Sequence, residues 1–153
     1  MANAGTQVNE FIGKYSPEIA AAFRASRRKL RALFPFGREL VYDNYNALAI
    51  GYSPGENASS VLVSIAAYPR WVTLFFLKGN KLHDPHRMLG GSGNRVRNLR
   101  LNAPHDLDDP RIRALIAQAV EPFQSEFAEA GPLRTVIKSV SAKQRPRRPA
   151  DGK

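Results

Sequence analysis

The chain lacks cysteine, has no long apolar run and carries few acidic residues. Without cysteine there is no thiol catalysis, no iron–sulfur cluster and no thiolate zinc site, and this composition fits a reducing compartment. The longest apolar run, Trp71–Leu77, has seven residues, against the about 20 that a membrane-spanning helix needs. The first ten residues do not show a basic region followed by an apolar run, so they do not resemble a secretory signal. We therefore expect no membrane span and a soluble, cytoplasmic protein.

The scarcity of acids leaves a large positive charge. The sequence has 23 Lys and Arg against 13 Asp and Glu, a formal net charge of +10. Residues 134–153 contain seven of the basic residues and one acid. Such an excess attracts polyanions without specifying one, so nucleic acid, anionic lipid and phosphorylated metabolites all remain open as partners. Improved solubility with a solvated tail is the alternative explanation.

No pattern in the sequence predicts an enzyme. We find no nucleophile elbow, no paired carboxylates suited to acid–base catalysis and no H-E-x-x-H motif. The segment His83–His86 holds two imidazoles and a carboxylate, but no third or fourth ligand has supporting spacing. Asp84 before Pro85 is better explained as a turn residue. We therefore expect a protein without catalytic residues, metal site or cofactor, and the oligomeric state stays open.

The order of the predicted elements indicates the fold class. Helices are predicted over 8–14, over 17–34 after the N-cap Ser16, and over 110–121 after the N-cap Asp109, with a short piece over 123–130. Strands are predicted over 39–43, 47–52, 61–67, 71–77, 96–101 and 134–140, with Trp71–Leu77 apolar on both faces and so assigned to a buried central strand. Helices that bracket a run of strands predict an α+β fold, an antiparallel five- to six-stranded sheet with helices packed on one face. We expect one domain over residues 1–140 and a basic, proline-rich disordered tail over 141–153.

A glycine-rich basic stretch is the first candidate binding site. Glycines let backbone N–H groups approach an oxyanion, and neighbouring lysine and arginine side chains supply charge. The stretch matches neither a Walker loop nor a dinucleotide fingerprint, and an ordinary flexible connection between strands is the simpler explanation of it. The candidate anion-binding residues are Lys78, Gly79, Gly91, Gly93, Asn94, Arg95 and Arg97.

Two further features suit ligand binding. A basic strip on the helix over 17–34 consists of Arg24, Arg27, Arg28 and Arg31, which helical geometry places on one side. It suits phosphates or an acidic partner, or it is a solvated flank. The segment Tyr42–Asn46 is polar and aromatic and suits a rim that stacks on and hydrogen-bonds a ligand, although a hairpin turn needs no ligand to explain it.

Several segments together resemble the YdhG-like family of small bacterial domains, over roughly Glu18–Val120. They are LFP (33–35), YDNYNALAIGY (42–52), SIAAYPRWVTLFFLKG (64–79) and GSGNRVRNLRL (91–101). The resemblance implies a compact α+β domain, and because some relatives are described as frataxin-type iron chaperones, it implies iron binding as an alternative function. Frataxin-like iron binding uses an acidic helix, whereas the helix over 17–34 is basic. The preferred hypothesis is therefore a non-catalytic module that binds an anionic partner: nucleic acid, a phosphorylated small molecule or an acidic protein.

Overall fold

The computed structural model describes residues 3–150, and the fold begins with two helices. Helix α1 spans Ala4–Gly13, and its N-cap Asn3 accepts a hydrogen bond from the Thr6 amide at 2.8 Å. Helix α2 spans Pro17–Leu33. Pro17 at the first helical position has no N–H to leave unpaired, and Pro35 follows the C-terminus. The predicted helix over 17–34 is confirmed, although the Ser16 side chain makes no capping hydrogen bond.

Six strands form one mixed, mostly antiparallel sheet, which confirms the predicted fold class. The strands are β1 (Arg38–Asp43), β2 (Leu48–Ser53), β3 (Val63–Ala67), β4 (Val72–Phe76), β5 (Arg97–Leu101) and β6 (Arg134–Val140). Their order across the sheet is β5-β4-β3-β2-β1-β6. The first five strands pair as antiparallel neighbours in sequence order. Strand β6 returns after the last helices and pairs parallel to β1 at the edge.

Helices α3 (Pro110–Val120) and α4 (Gln124–Ala130) complete the fold. The predicted cap is confirmed, because the Asp109 carboxylate accepts from the Arg111 amide at 2.8 Å. Helices α1 to α4 each contribute buried side chains to one apolar core, which they share with one face of the sheet. No helix in the described part of the chain is long and apolar enough to cross a membrane.

The prediction of a disordered tail is wrong for residues 141–150. The Ser141 amide donates to the Asp43 carbonyl at 2.9 Å, and the Arg145 amide donates to the Tyr45 carbonyl at 2.8 Å. Arg147 is only 5% exposed and pairs with the buried Asp43 carboxylate at 2.9 Å. The segment packs despite its charge because it satisfies a buried acid and the free carbonyls of the β1–β2 turn. Residues 151–153 of the predicted tail lie outside the described residues.

Candidate functional site

The two faces of the sheet differ sharply in what covers them. Side chains alternate along a strand, and Val63, Ile65 and Ala67 of β3 lie in the helical core. Ser64 and Ala66 therefore point to the opposite face, which takes no part in that core. We call this opposite face the open face.

The open face contains a cavity of about 460 Å³. Its floor is made of the small residues Ala49, Ser64 and Ala66, and Tyr68 and Phe75 stand beside them. Small side chains in the middle of a sheet leave a depression where larger neighbours surround them. The volume lies within the range of about 300–1,000 Å³ that small-molecule sites occupy.

The turn between β1 and β2 forms the rim of this cavity. Asn44, Tyr45 and Asn46 line it together with Ser141. Tyr45 is 46% exposed, and the Arg145 guanidinium lies 6.0 Å from its ring centroid. Of the segment Tyr42–Asn46, the last three residues thus line a cavity where their side chains can contact a ligand, whereas Asp43 is buried in ion pairs with Lys14 and Arg147.

An aromatic–arginine cluster, Tyr68, Trp71 and Arg100, extends the open face toward β5. The Tyr68 and Trp71 rings lie 5.8 Å apart. The Arg100 guanidinium sits 4.1 Å from the Trp71 ring centroid, a favourable cation–π geometry. Trp71 is 36% exposed, so a large aromatic surface faces solvent. A planar group placed on this cluster meets both an aromatic ring and a guanidinium.

The sequence pattern conceals this cluster, because an apolar run over Trp71–Leu77 predicts a strand buried on both faces. Strand β4 does have a neighbour on each side, but it is second from the edge and only one of its faces joins the core. Its core-facing residues are Val72, Leu74 and Phe76, so Trp71 and Phe75 belong to the open face. The register of β4 with β5 places Arg100 opposite Thr73, so Arg100 shares the face of Trp71.

The predicted glycine-rich anion site is only partly assembled. Gly79 and Arg97 do meet, because a Cβ on Gly79 would lie 2.5 Å from the Arg97 Cβ. The Asn80 amide donates to the Arg95 carbonyl at 2.9 Å, which joins the two segments. Gly79 is thus needed for close packing against the Arg97 stem, and Gly91 takes a positive φ of 107°.

The charged ends of the same site diverge. The Lys78 ammonium lies 4.7 Å from the Phe123 ring centroid, beside a different cavity that helix α3 lines. The Arg97 guanidinium donates to the carbonyls of Gly93 and Val96 at 2.7 and 2.9 Å. Gly93, Asn94 and Arg95 are exposed. The described geometry therefore does not bring these side chains to one point.

The basic strip on α2 is divided between structural and exposed arginines. Arg27 donates two hydrogen bonds, at 2.9 and 2.8 Å, to Glu39, which is fully buried, and Arg31 pairs with the same carboxylate. Arg24 bonds to the Asn9 side chain at 3.2 Å. Arg28 is exposed. Two of the four arginines therefore neutralise a core acid.

The contacts of the buried Glu39 carboxylate explain the direction of its pKa shift. Burial by itself raises the pKa of Glu39, but the hydrogen bonds and charges of Arg27 and Arg31, with the Thr135 hydroxyl, outweigh it and hold the pKa below its usual value. Burial and the Glu39 charge raise the pKa of Tyr52, whose hydroxyl donates to Glu39 at 2.8 Å. Tyr52 thus stays neutral while Glu39 stays ionised.

The His83–His86 segment is held as a turn. The Asp84 carboxylate accepts from the Met88 and Leu89 amides at 3.0 and 2.9 Å, as a turn residue should. Over residues 3–150 we find no group of three or more His, Asp or Glu side chains placed to hold a metal ion.

Comparison of the chain with protein-family models, with curated proteins and with solved structures finds no match in any of the three.

Proposed function

We propose that the protein is a non-catalytic module that binds an anionic partner, and that this partner is single-stranded nucleic acid lying across the open face. The observation that carries the proposal is the exposed Trp71, stacked with Arg100 and next to Tyr68, which itself lines the cavity of the open face. Membership in the YdhG-like family is part of the proposal and rests on the sequence motifs alone.

The chemistry of the open face favours a single strand over other anions. Nucleic-acid bases have flat π-faces, and each base that stacks on an aromatic side chain contributes about 1–3 kcal/mol. Trp71 and Tyr68 present such rings 5.8 Å apart. A phosphorylated metabolite or an acidic protein surface can pair with the cations, but it gains less from contact with two neighbouring aromatic rings. In a duplex the bases stack on each other, so they are not available to stack on the Trp71 and Tyr68 rings.

The rim supplies polar groups for the edges of a base in the cavity. Asn44 and Asn46 carry amides that both donate and accept hydrogen bonds, although the Asn44 side chain already accepts from the Ser139 hydroxyl at 3.1 Å. Arg100 on the edge strand β5 lies over the Trp71 ring, and Arg145 lies over the Tyr45 ring beside the β1–β2 turn. Cations beside aromatic rings suit a nucleic-acid strand whose bases point at the sheet and whose phosphates face the cations. The net charge of +10 adds a long-range attraction.

Intrinsic fluorescence tests the proposal directly, because Trp71 is the only tryptophan of the chain. Titration with a short oligothymidylate at low salt should quench its emission as bases stack on the ring. A duplex of the same length should quench it less. The logarithm of the binding constant should fall linearly with the logarithm of the salt concentration, with a slope of about −0.7 for each neutralised phosphate.

Three variants separate stacking from general charge. Tyr68→Ala should weaken binding about 5- to 150-fold, the equivalent of one lost stacking contact. Arg100→Ala should weaken it as well, whereas Arg28→Ala removes the same charge from an exposed helix position and should have little effect. Urea unfolding checks that each variant folds.

Equal losses for Arg100→Ala and Arg28→Ala would show that binding is only electrostatic and would refute the proposed face. Absence of quenching by any single strand at low salt would also refute it. Quenching by polyglutamate with the same sensitivity to Tyr68→Ala and Arg100→Ala would replace nucleic acid by an acidic protein as partner.

A further inference from the structure

A second cavity, which we call the α3 cavity, lies on the helical side of the sheet. It has a volume of about 670 Å³, larger than the cavity of the open face. Its floor is the core, through Leu62 and Phe76, which are 3% and 0% exposed. Helix α3 forms one wall with Ala114 and Ala117, and Phe123 closes one end. This is an apolar hollow of the size that small ligands occupy.

The hollow is fixed by the fold. Gln118 of α3 both accepts from the His83 amide at 2.9 Å and donates to the His83 carbonyl at 2.8 Å. These two bonds hold α3 against the segment that follows β4. Helix α3 faces the cavity with the short side chains of Ala114 and Ala117, which leave the space between the helix and the core unfilled. The cavity therefore exists before any ligand arrives.

The mouth of the α3 cavity carries a positive charge excess. Lys78 and Lys81 line it together with the single acid Glu121. The Lys78 ammonium lies over the Phe123 ring at 4.7 Å. Within residues 3–150 neither lysine forms an ion pair with an acidic side chain. An ammonium held only by a ring remains free to bind an anion that comes within reach of the apolar hollow.

We propose that the α3 cavity binds a small amphipathic carboxylate, with its apolar chain or ring against Leu62, Phe76 and Phe123 and its carboxylate on Lys78. An apolar hollow with one cationic side at its mouth matches a molecule that has one anionic end and an apolar body. The site is separate from the open face, because no residue lines both the α3 cavity and the cavity of the open face. Its test is therefore independent of the proposed nucleic-acid binding.

Calorimetry with hexanoate, octanoate and decanoate, each as free monomer, tests the apolar part. Each added methylene that enters the cavity should tighten binding about fourfold. Ala117→Leu fills the cavity with a helix-favouring side chain and should abolish decanoate binding. Ala21→Leu makes the same change at an exposed position of α2 and should leave binding unchanged.

The charged part is tested with the same probes. Lys78→Met keeps the apolar stem and removes the ammonium, and it should weaken decanoate binding about tenfold or more. Lys138→Met, at an exposed position of β6, is the matched control and should not. Glu121→Gln should tighten binding, and decylamine should bind more weakly than decanoate.

Affinities that do not rise from hexanoate to decanoate would overturn the apolar part of the proposal. Decylamine binding as tightly as decanoate, or Lys78→Met behaving like Lys138→Met, would overturn the assignment of the anionic end. An unchanged affinity in Ala117→Leu, with the variant folded by urea unfolding, would show that decanoate binds elsewhere.

Discussion

Glu39 is a buried acid that ties helix α2 to the sheet, and replacing it with glutamine tests how the protein stabilises that charge. Its carboxylate is 0% exposed and is bound by Arg27, Arg31, Tyr52 and Thr135. Glutamine has nearly the same shape, so Glu39→Gln removes the charge and leaves the packing volume. Two arginines then face a neutral amide.

The expected loss of stability follows from the two arginine charges that Glu39→Gln leaves without a carboxylate. Breaking a buried ion pair by removing one partner costs about 3–5 kcal/mol, because the remaining charge is uncompensated. The side chains of Arg27 and Arg31 are 17% and 38% exposed, so water can reach them in part. We therefore expect Glu39→Gln to lower the free energy of unfolding by about 3 kcal/mol, the lower end of that range. For a domain of this size the melting temperature should fall by about 6–12 °C.

The effect should depend on pH in a defined direction. The pKa of Glu39 is lowered in the folded state, so the unfolded chain takes up the proton at a higher pH than the folded protein does. The stabilising contribution of Glu39 is then fully present above its unfolded pKa of about 4.3 and is lost as the pH falls through the folded pKa. The difference between wild type and Glu39→Gln should be constant from about pH 7 to pH 5 and shrink below about pH 4.

Urea unfolding at several pH values measures this difference. Glu56→Gln is the matched control, because Glu56 also binds an arginine, Arg134 at 3.0 Å, but its side chain is 48% exposed. Its loss should cost less than about 1 kcal/mol. A Glu39→Gln variant as stable as Glu56→Gln at neutral pH, or a difference that persists unchanged at about pH 3, would refute this role of the Glu39 charge.

Two further predictions concern side chains in the C-terminal segment and in β4. Arg147→Ala should lower the free energy of unfolding by about 3–5 kcal/mol in urea, because it removes the least exposed cation that pairs with the buried Asp43. Arg148→Ala, at the exposed neighbouring position, should lower it by less than about 1 kcal/mol. Equal effects of the two changes would mean that the C-terminal segment is not packed. Phe76→Ala should cost about 3–5 kcal/mol since its ring is fully enclosed. Phe75→Ala should cost less than half as much, because that ring lies part-exposed on the open face; a Phe75 change as costly as the Phe76 change would show that the open face is covered.

Much of the architecture can be predicted from local patterns. Pro17 and the Asp109–Pro110 pair mark helix starts because their effects act within one turn of backbone. The alternation of Val63 and Ile65 with smaller residues predicts a strand that is buried on one face. The order of helices and strands then limits the fold to an α+β sheet with helices on one side.

The direction of β6 and the packing of the tail require the tertiary structure. Local sequence predicts an edge strand over Arg134–Val140, but it does not say which partner the strand meets or in which direction. A basic, proline-rich composition predicts a disordered tail, yet composition takes no account of the buried Asp43, which needs a cation. Arg147 meets that need from more than a hundred residues away.

The candidate sites likewise combine residues that the sequence shows with contacts that form only in the folded chain. Composition and residue order show the charge, the absence of thiols and the presence of Lys78, Trp71 and the arginines. The tertiary structure was needed to show that Arg27 and Arg31 neutralise Glu39 and that Lys78 faces Phe123. It alone placed Arg100 on Trp71, since a side chain's neighbours across a sheet depend on strand register and order, which are long-range properties of the whole chain.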